Sequence, residues 1–165
     1  MIRPVIQEPH PTLRQKAQLV SNFNDPKLKV LLKDMEDTLI QQEGLGLAAP
    51  QINESLTIFV IPKEVAPMVR SLCIPSSLFK PFRATIFFNP KLSDYSSKKE
   101  IEEEGCLSVR GIFHPLPRSG RVTIEAQNEK GQRFRVTVEG LLARIFQHET
   151  DHLNGTLFID RLHEK

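Results

Sequence analysis

The stretch His148-Glu149-Thr150-Asp151-His152 decides most of what can be predicted about this 165-residue chain. Residues four apart on an α-helix lie on the same face, so the two imidazoles can reach one metal ion. Glu149 lies between them and is placed to exchange a proton rather than to bind the ion. The sequence therefore predicts a helix that carries two metal ligands and a general base.

The residues before this stretch continue the helical spacing. The pattern predicts a helix over Gly140–Leu153, with Asn154-Gly155 as its C-terminal stop. A chance match on a surface helix would not be preceded by an apolar stripe running directly into the two histidines. Here that stripe consists of Leu141, Leu142, Ile145 and Phe146. We therefore expect the histidine pair to lie on a buried face.

Two histidines leave a catalytic metal site one protein ligand short. One large class of zinc proteases places a third histidine six residues after the second, where this chain has Phe158. Another class uses a glutamate well downstream, but this sequence ends at Lys165. We therefore expect the third ligand upstream. The candidate is Cys106 in Glu104-Gly105-Cys106-Leu107-Ser108, because a thiolate binds metals and glycine permits close backbone approach.

A third stretch, Gly44-Leu45-Gly46-Leu47-Ala48-Ala49-Pro50-Gln51, is rich in small residues. Two glycines and two alanines allow main chain to pack near a ligand, and Gln51 offers an amide donor. The stretch lacks the Gly-Lys-Ser/Thr of a phosphate loop. A tight turn at a helix end explains Gly44 and Gly46 but not the whole run.

The rest of the chain predicts an α+β arrangement, in which strands precede one late helix. Asn24-Asp25-Pro26 is typical of a helix start, and the apolar helical spacing then continues to Ile40. A short helical piece is predicted at 10–17, strands at 56–61 and 84–88, and a β-hairpin flanking the turn at 128–131. The prolines in 62–82 predict an irregular excursion. We expect one domain over residues 1–165.

Composition and charge give no support to several classes of function. The net charge of +2 gives no global argument for binding nucleic acid or an anionic membrane. No apolar run approaches the roughly 18 residues that a spanning helix needs. The N-terminus, Met1-Ile2-Arg3-Pro4, lacks a secretory or transit signal, which predicts a cytoplasmic protein. In a reducing compartment Cys73 and Cys106 are not expected to form a disulfide, and Cys73 is expected to be packed.

Together, the three stretches resemble the three signature motifs of the peptide deformylase family and occur in the family's order. The third motif is complete over residues 147–155, as Gln-His-Glu-Thr-Asp-His-Leu-Asn-Gly. The resemblance extends from Ile6 to Leu162. It includes Pro9-His10-Pro11-Thr12-Leu13-Arg14 and Phe88-Asn89-Pro90. The resemblance implies mixed and antiparallel β-sheets packed around a central metal-binding helix that carries HExxH.

The resemblance also implies roles for individual residues. The metal ligands would be Cys106, His148 and His152, with Glu149 as the general acid/base. The Gln51 amide and the Leu107 backbone N–H would stabilise the oxyanion.

For the substrate, the resemblance implies a peptide that binds as an added strand along Leu45, Gly46 and Gly105. The methionine side chain would lie near Leu141, Ile145 and His148. One divalent ion is implied, Fe(II) in the cell, with Zn(II), Ni(II) or Co(II) as replacements.

The implied activity is removal of the formyl group from the N-terminal formyl-methionine of newly made peptides, with release of formate. Two alternatives remain open. A short HExxH peptidase would need a third ligand other than Cys106. A deformylase-like metal-binding protein without activity would be marked by a closed site of four protein ligands.

The sequence departs from the family pattern in three places. Arg110 stands where many members carry proline, so the rim on the substrate side is expected to differ. The stretch 62–82 is unlike the usual strand connection. The sequence also stops soon after residues 158–160, without the long C-terminal helix of one branch.

Members with that helix can use its basic face to dock beside the ribosomal exit tunnel. Here Asp160 and Glu164 offset Arg161 and Lys165. We therefore expect efficient deformylation in solution, no direct reading of nucleic acid, and little or no ribosome binding. A basic surface around residues 80 and 83 would be the alternative ribosome contact.

Overall fold

The computed structural model describes residues 1–63, 65 and 84–162. Several predictions fall elsewhere in the chain. Most of the excursion predicted at 62–82 lies outside the described residues, and so do Cys73, Lys80, Arg83 and the tail at 163–165.

The described chain contains three α-helices and seven strands. The helices are α1 (Pro26–Gln41), α2 (Gly140–Leu153) and α3 (Phe158–Arg161), with short 3-10 helices at Pro11–Arg14 and Ala49–Ile52. The strands are β1 (Leu47–Ala48), β2 (Ile58–Pro62), β3 (Ala84–Ser93), β4 (Lys99–Cys106), β5 (Val109–Ser119), β6 (Arg121–Gln127) and β7 (Arg133–Glu139).

The strands form two sheets. Five of them pair antiparallel in the order β1-β2-β3-β6-β7, and β4 and β5 form a separate antiparallel hairpin. An isolated bridge between Gln18 and Leu56 is parallel. The predicted α+β class is confirmed, and so is the predicted hairpin, which β6 and β7 form.

Helix α1 begins where the sequence predicted. The Asp25 carboxylate accepts a hydrogen bond from the Lys27 N–H at 2.9 Å, and Pro26 occupies the first helical position. This arrangement satisfies one of the free N–H groups of the first turn and uses the fixed φ of proline. The buried side of α1 packs on one face of the five-stranded sheet through Leu28, Leu31, Leu32, Met35 and Leu39.

Helix α2 packs on the opposite face of the same sheet. Successive strand residues point to opposite faces, so Ile58 and Val60 contact the α1 side while Phe59 and Ile61 contact α2. The helix spans the predicted residues and ends at Leu153, and the chain then turns at Gly155, whose φ of +74° suits a residue without a Cβ. The sheet thus holds the HExxH helix in place by its apolar side.

Two local predictions were wrong. The strand expected at 84–88 does not close at Asn89-Pro90 but continues to Ser93, with a register shift between Phe88 and Lys91. The Asn89 side chain donates to the Val20 carbonyl at 2.9 Å and to Gln127 Oε1 at 2.7 Å, which stabilises this bulge. The first helical piece ends at Arg14 rather than near residue 17.

Within the described parts of the chain, no helix is both long and apolar enough to cross a bilayer.

Candidate metal centre and active site

The three predicted metal ligands meet at one point. Cys106 lies at the end of β4, and His148 and His152 lie one turn apart on α2. The Cys106 Sγ is 3.3 Å from His152 Nε2, and the two Nε2 atoms are 3.2 Å apart. One ligand atom from each residue lies within 4.8 Å of the others. The backbone therefore already brings one sulfur and two nitrogens to a single position.

This donor set fits a divalent first-row metal ion. One thiolate and two imidazoles are ligands that iron, nickel, cobalt and zinc all accept. Among the described residues, the cluster has no fourth His, Cys, Asp or Glu ligand. A site with three protein ligands leaves a position for water or substrate, as catalytic centres do. The closed four-ligand site of the non-catalytic alternative is not found in this cluster.

The surroundings of His148 favour a positive charge on its ring. Its Nδ1 lies 2.7 Å from Glu104 Oε1, which leaves Nε2 facing the cluster. Burial opposes a charged ring, but the hydrogen bonds to Cys106 and Glu104 outweigh it and raise the pKa of His148 well above its usual value. An anionic environment of this kind suits a bound cation in place of the proton. The carboxylate–histidine pair also fixes the ring orientation.

The pKa of His152 shifts in the opposite direction. Burial and the charge of His148 lower it well below its usual value, so this ring is neutral and able to bind a metal. Its Nδ1 is buried and has no hydrogen-bond partner among the described residues.

Glu104 belongs to a buried network of charges that sequence reasoning missed. Arg118 binds both oxygens of Glu104, at 3.1 and 2.6 Å, and Arg144 binds Oε2 at 2.9 Å. Arg118 also donates to Asp151 at 2.6 Å, and Asp151 accepts from Arg161 Nε at 2.6 Å. Burial would raise the pKa of Glu104, but the hydrogen bonds from His148 and Arg118 lower it strongly.

Gln51 is held rigidly beside the predicted metal position. Its Oε1 accepts from the Ala48 N–H at 2.9 Å, which turns the amide nitrogen towards Ser108 Oγ at 3.3 Å and Cys106 Sγ at 3.6 Å. Leu107 follows Cys106 directly, in the turn between β4 and β5. The two predicted oxyanion donors thus lie on segments that meet at Cys106.

Glu149 is buried next to Gly46. A Cβ on Gly46 would come within 2.2 Å of Glu149 Oε1, so only glycine leaves room for this carboxylate. Glu149 Oε2 has no hydrogen-bond partner within the described structure. Burial raises the pKa of Glu149 to about 7, which suits a group that accepts and returns a proton near neutrality.

A cavity of about 350 Å³ opens at this site. It is lined by all five predicted substrate-binding residues, Leu45, Gly46, Gly105, Leu141 and Ile145, and also by Gln51, Cys106, Leu107, His148 and Glu149. The cavity lining also includes Glu102, Glu103, Phe113 and Arg144, to which sequence reasoning assigned no role. Arg110, expected to alter the rim, is exposed and does not line the cavity.

Comparisons with known proteins agree along the whole chain. The model of the polypeptide deformylase family matches residues 2–165. The chain is 38% identical over 164 residues to peptide deformylase 1 of Nitrosomonas europaea, covering 99% of this chain and 89% of that protein. It is 40% identical over 153 residues to the peptide deformylase of Clostridium botulinum, covering 93% and 91%.

Solved structures give the same result. The crystal structure of the peptide deformylase from Thermotoga maritima aligns with a TM-score of 0.82 at 34% identity, covering 98% of this chain and 97% of that one. The Met-Ala-Ser-bound class I type b peptide deformylase from Acinetobacter baumannii aligns with a TM-score of 0.82 at 30% identity, covering 98% of each chain. These matches and the geometry of the site place the chain in the polypeptide deformylase family.

Proposed function

We propose that this chain removes the N-formyl group from the N-terminal formyl-methionine of newly made peptides. Water and the formyl amide are consumed, and formate and a free amine are released. The observation that carries the proposal is the convergence of Cys106, His148 and His152 beside a buried carboxylate and a fixed amide donor. The names of the relatives support it, and neither alternative activity is favoured by them.

A divalent ion held by Cys106, His148 and His152 would polarise the formyl carbonyl and lower the pKa of water. Glu149 accepts the proton of the attacking water and later delivers it to the departing amine. Gly46 keeps space for this carboxylate, and its pKa of about 7 allows both steps at neutral pH.

The oxyanion that forms when water adds to the carbonyl needs donors already in place. Gln51 Nε2 is the first, since the hydrogen bond from Ala48 N–H to its Oε1 fixes the amide plane. The Leu107 N–H is the second proposed donor. Glu104 acts through His148, whose ring it orients by the 2.7 Å contact at Nδ1.

The cavity favours an extended peptide. In the described structure β1 pairs only with β2 and β4 only with β5, so each has one free edge for an added strand. Leu45 and Gly46 lie beside the first strand, and Gly105 lies on the second. Leu141 and Ile145 form an apolar wall of the cavity for the methionine side chain. Gly46 and Gly105, which have no side chains, leave a narrow space that suits the small formyl group.

We propose Fe(II) as the native ion and Zn(II), Ni(II) or Co(II) as replacements, based on the family resemblance and on the ligand set. Residues 1–165 are proposed to form one catalytic domain. In support, the N-terminal segment contacts the site through Gln7 Nε2, which donates to the Leu107 carbonyl at 2.9 Å. A cytoplasmic location and weak ribosome binding stay predictions.

The test is formate release from formyl-Met-Ala-Ser by the metal-loaded protein, with Glu149→Gln as the matched variant. Proton transfer by a placed group contributes roughly 10²–10⁴-fold, so turnover of the variant should fall by that factor. Metal content should stay unchanged, because Glu149 is not a ligand. Equal formate release by the two proteins would refute the role of Glu149, and no release by either would refute the proposed activity.

A further inference from the structure

A second cavity, of about 570 Å³, lies on another side of helix α2. The first cavity is lined by Leu141, Ile145, His148 and Glu149 of this helix, and the second by Gln147, Thr150, Asp151 and Asn154. Residues spaced three and four apart share a helix face, so the two sets form separate faces. The rest of the second cavity comes from the end of β3, the loop after it, β4, β5 and α3. Its volume is within the usual range for small-molecule sites.

The charge in this cavity is mainly positive. Of the described residues that line it, Lys99, Arg118 and Arg161 are basic and Asp151 alone is a carboxylate. The Asp151 oxygens already accept from Arg118 at 2.6 Å and from Arg161 at 2.6 and 2.5 Å. Glu104 also binds Arg118, but it lies on the side of the first cavity and binds Arg144 as well. Arg118 and Arg161 already occupy Asp151, so the positive charge of Lys99 in this cavity is not balanced by that carboxylate.

Two donors at this cavity have no acidic partner among the described residues. Lys99 Nζ donates to the neutral Ser119 Oγ at 2.9 Å, and no carboxylate of the described residues lies within 4.0 Å of it. The Tyr95 hydroxyl makes no hydrogen bond within the described part of the chain, and Tyr95 is 53% exposed. Burial raises the pKa of this hydroxyl, and the charges of Asp151, Arg161 and Arg118 act on it, so it lies near the charged wall.

We propose that the second cavity binds a phosphate group, with Lys99 Nζ and the Tyr95 hydroxyl as direct donors. Arg118 and Arg161, both bound to Asp151, lie in the same cavity lining. A phosphate carries up to two negative charges and has acceptor oxygens on several sides, which suits donors that approach from different elements. The cavity is larger than orthophosphate, so the group can be free or carried by a small molecule. This proposal does not depend on the proposed deformylase activity.

The test is a titration of the zinc-loaded protein with orthophosphate at constant ionic strength. Binding is monitored by the NMR chemical shifts of the backbone amides. Saturable shifts are expected around Lys99, Tyr95 and Thr150. Hydrogen bonds to charged groups are among the stronger ones, so Lys99→Gln should weaken binding by about tenfold or more. Tyr95→Phe, which removes only the hydroxyl, should also weaken it. A parallel titration with adenosine monophosphate distinguishes free phosphate from a phosphate that is part of a small molecule. Tighter binding of adenosine monophosphate than of orthophosphate would indicate the second.

The matched control is Lys98→Gln, which changes the same charge one residue away at an exposed position outside the cavity lining. Its affinity for orthophosphate should equal that of the wild type. Equal weakening by Lys98→Gln and Lys99→Gln would show general charge attraction and overturn the proposal. Shifts confined to the surroundings of His148 and Glu149 would place the phosphate in the first cavity. That result, or shifts that do not saturate, would also overturn it.

Discussion

At the scale of single residues, Glu104 links the predicted metal site to the buried charges. Its Oε1 contacts His148 Nδ1 and Arg118 Nη2, and its Oε2 contacts Arg118 Nε and Arg144 Nη1. One carboxylate thus orients a predicted ligand and compensates two buried guanidinium groups. Removing one partner from a buried charge network costs far more than the pair itself contributes, because the remaining charges stay buried.

We expect Glu104→Gln to destabilise the protein by about 3–5 kcal/mol and to weaken metal affinity by roughly 10–100-fold. Urea unfolding of the apo-protein and metal titration measure the two effects. The folded-state pKa of Glu104 is lowered, so its contribution is present above the unfolded-state pKa and is lost as the pH falls through the folded value. The wild type should therefore lose more stability on acidification than the variant.

The control for this variant is Glu102→Gln. Glu102 is 57% exposed and lies 3.6 Å from Arg144, so its loss should cost less than about 1 kcal/mol. Similar unfolding midpoints for the two variants would contradict the role assigned to Glu104.

Gly46→Ala is expected to reduce turnover without releasing metal. The added Cβ would lie 2.2 Å from Glu149 Oε1 and must displace the carboxylate, and a shift of about 1 Å in a reacting group can cost roughly 10² in rate. Steady-state formate release with metal analysis is the measurement. Gly44→Ala serves as control, since its nearest contact is the flexible end of Leu107 at 3.1 Å. Equal rates for both variants would argue against a fixed position for Glu149.

Residues that belong to a recognisable sequence motif could be predicted, and distant pairs that no motif marks could not. His148 and His152 are four apart, and Cys106 followed from the incomplete pair. The contacts of Glu104 with Arg118 and Arg144 span 14 and 40 positions. No periodicity marks such pairs, and a buried arginine resembles an exposed one in the sequence.

At the scale of elements, the five-stranded sheet separates two apolar layers. On the α2 side, Phe59 stacks on Phe87 with ring centroids 4.7 Å apart, and Phe146 packs against both. On the α1 side, Met35 and Leu39 are fully buried. Both layers position the site, since α2 carries the histidines and β1 leads into the segment of Gln51.

Met35→Ala should lower the free energy of unfolding by about 2–5 kcal/mol, because a cavity is left in the α1 layer. Urea denaturation measures this loss, and the catalytic rate of the folded protein should stay unchanged. Val30→Ala on the same helix is the control, since Val30 is 59% exposed and its replacement should cost less than about 0.5 kcal/mol. A comparable loss in Val30→Ala would mean that helix propensity rather than packing dominates.

Elements with regular spacing were predicted well, and irregular strands were not. The helical spacing of apolar residues predicted α1 and α2 nearly in full. The alternation of apolar and polar residues did the same for β6 and β7. The prediction ended strand β3 too early, at Asn89-Pro90. Proline normally ends a strand unless it lies at a bulge, and the bulge here could not be seen in the sequence. Strands β4 and β5 were not predicted, since Pro115 and Pro117 interrupt the pattern. These prolines are tolerated because β4 and β5 pair with each other in a two-stranded hairpin, so proline lies on an edge strand.

At the scale of the whole molecule, the site is assembled from three segments that are far apart in sequence. The segment around Gln51 follows the sheet edge, Cys106 ends the separate hairpin, and the two histidines come from α2. The N-terminal segment joins them, since the Glu8 N–H donates to the Ser108 carbonyl at 2.9 Å. The central claim is that this assembly holds one metal ion through Cys106, His148 and His152 and that activity depends on it.

The most direct test of this claim measures metal content and formate release for Cys106→Ala and Cys73→Ala. The pair is matched, because each variant removes one of the two cysteines of the chain. Cys106→Ala is predicted to lose bound metal and activity together, since a ligand is removed, whereas Cys73→Ala should keep both at wild-type values. Wild-type metal content and formate release in Cys106→Ala would contradict the claim.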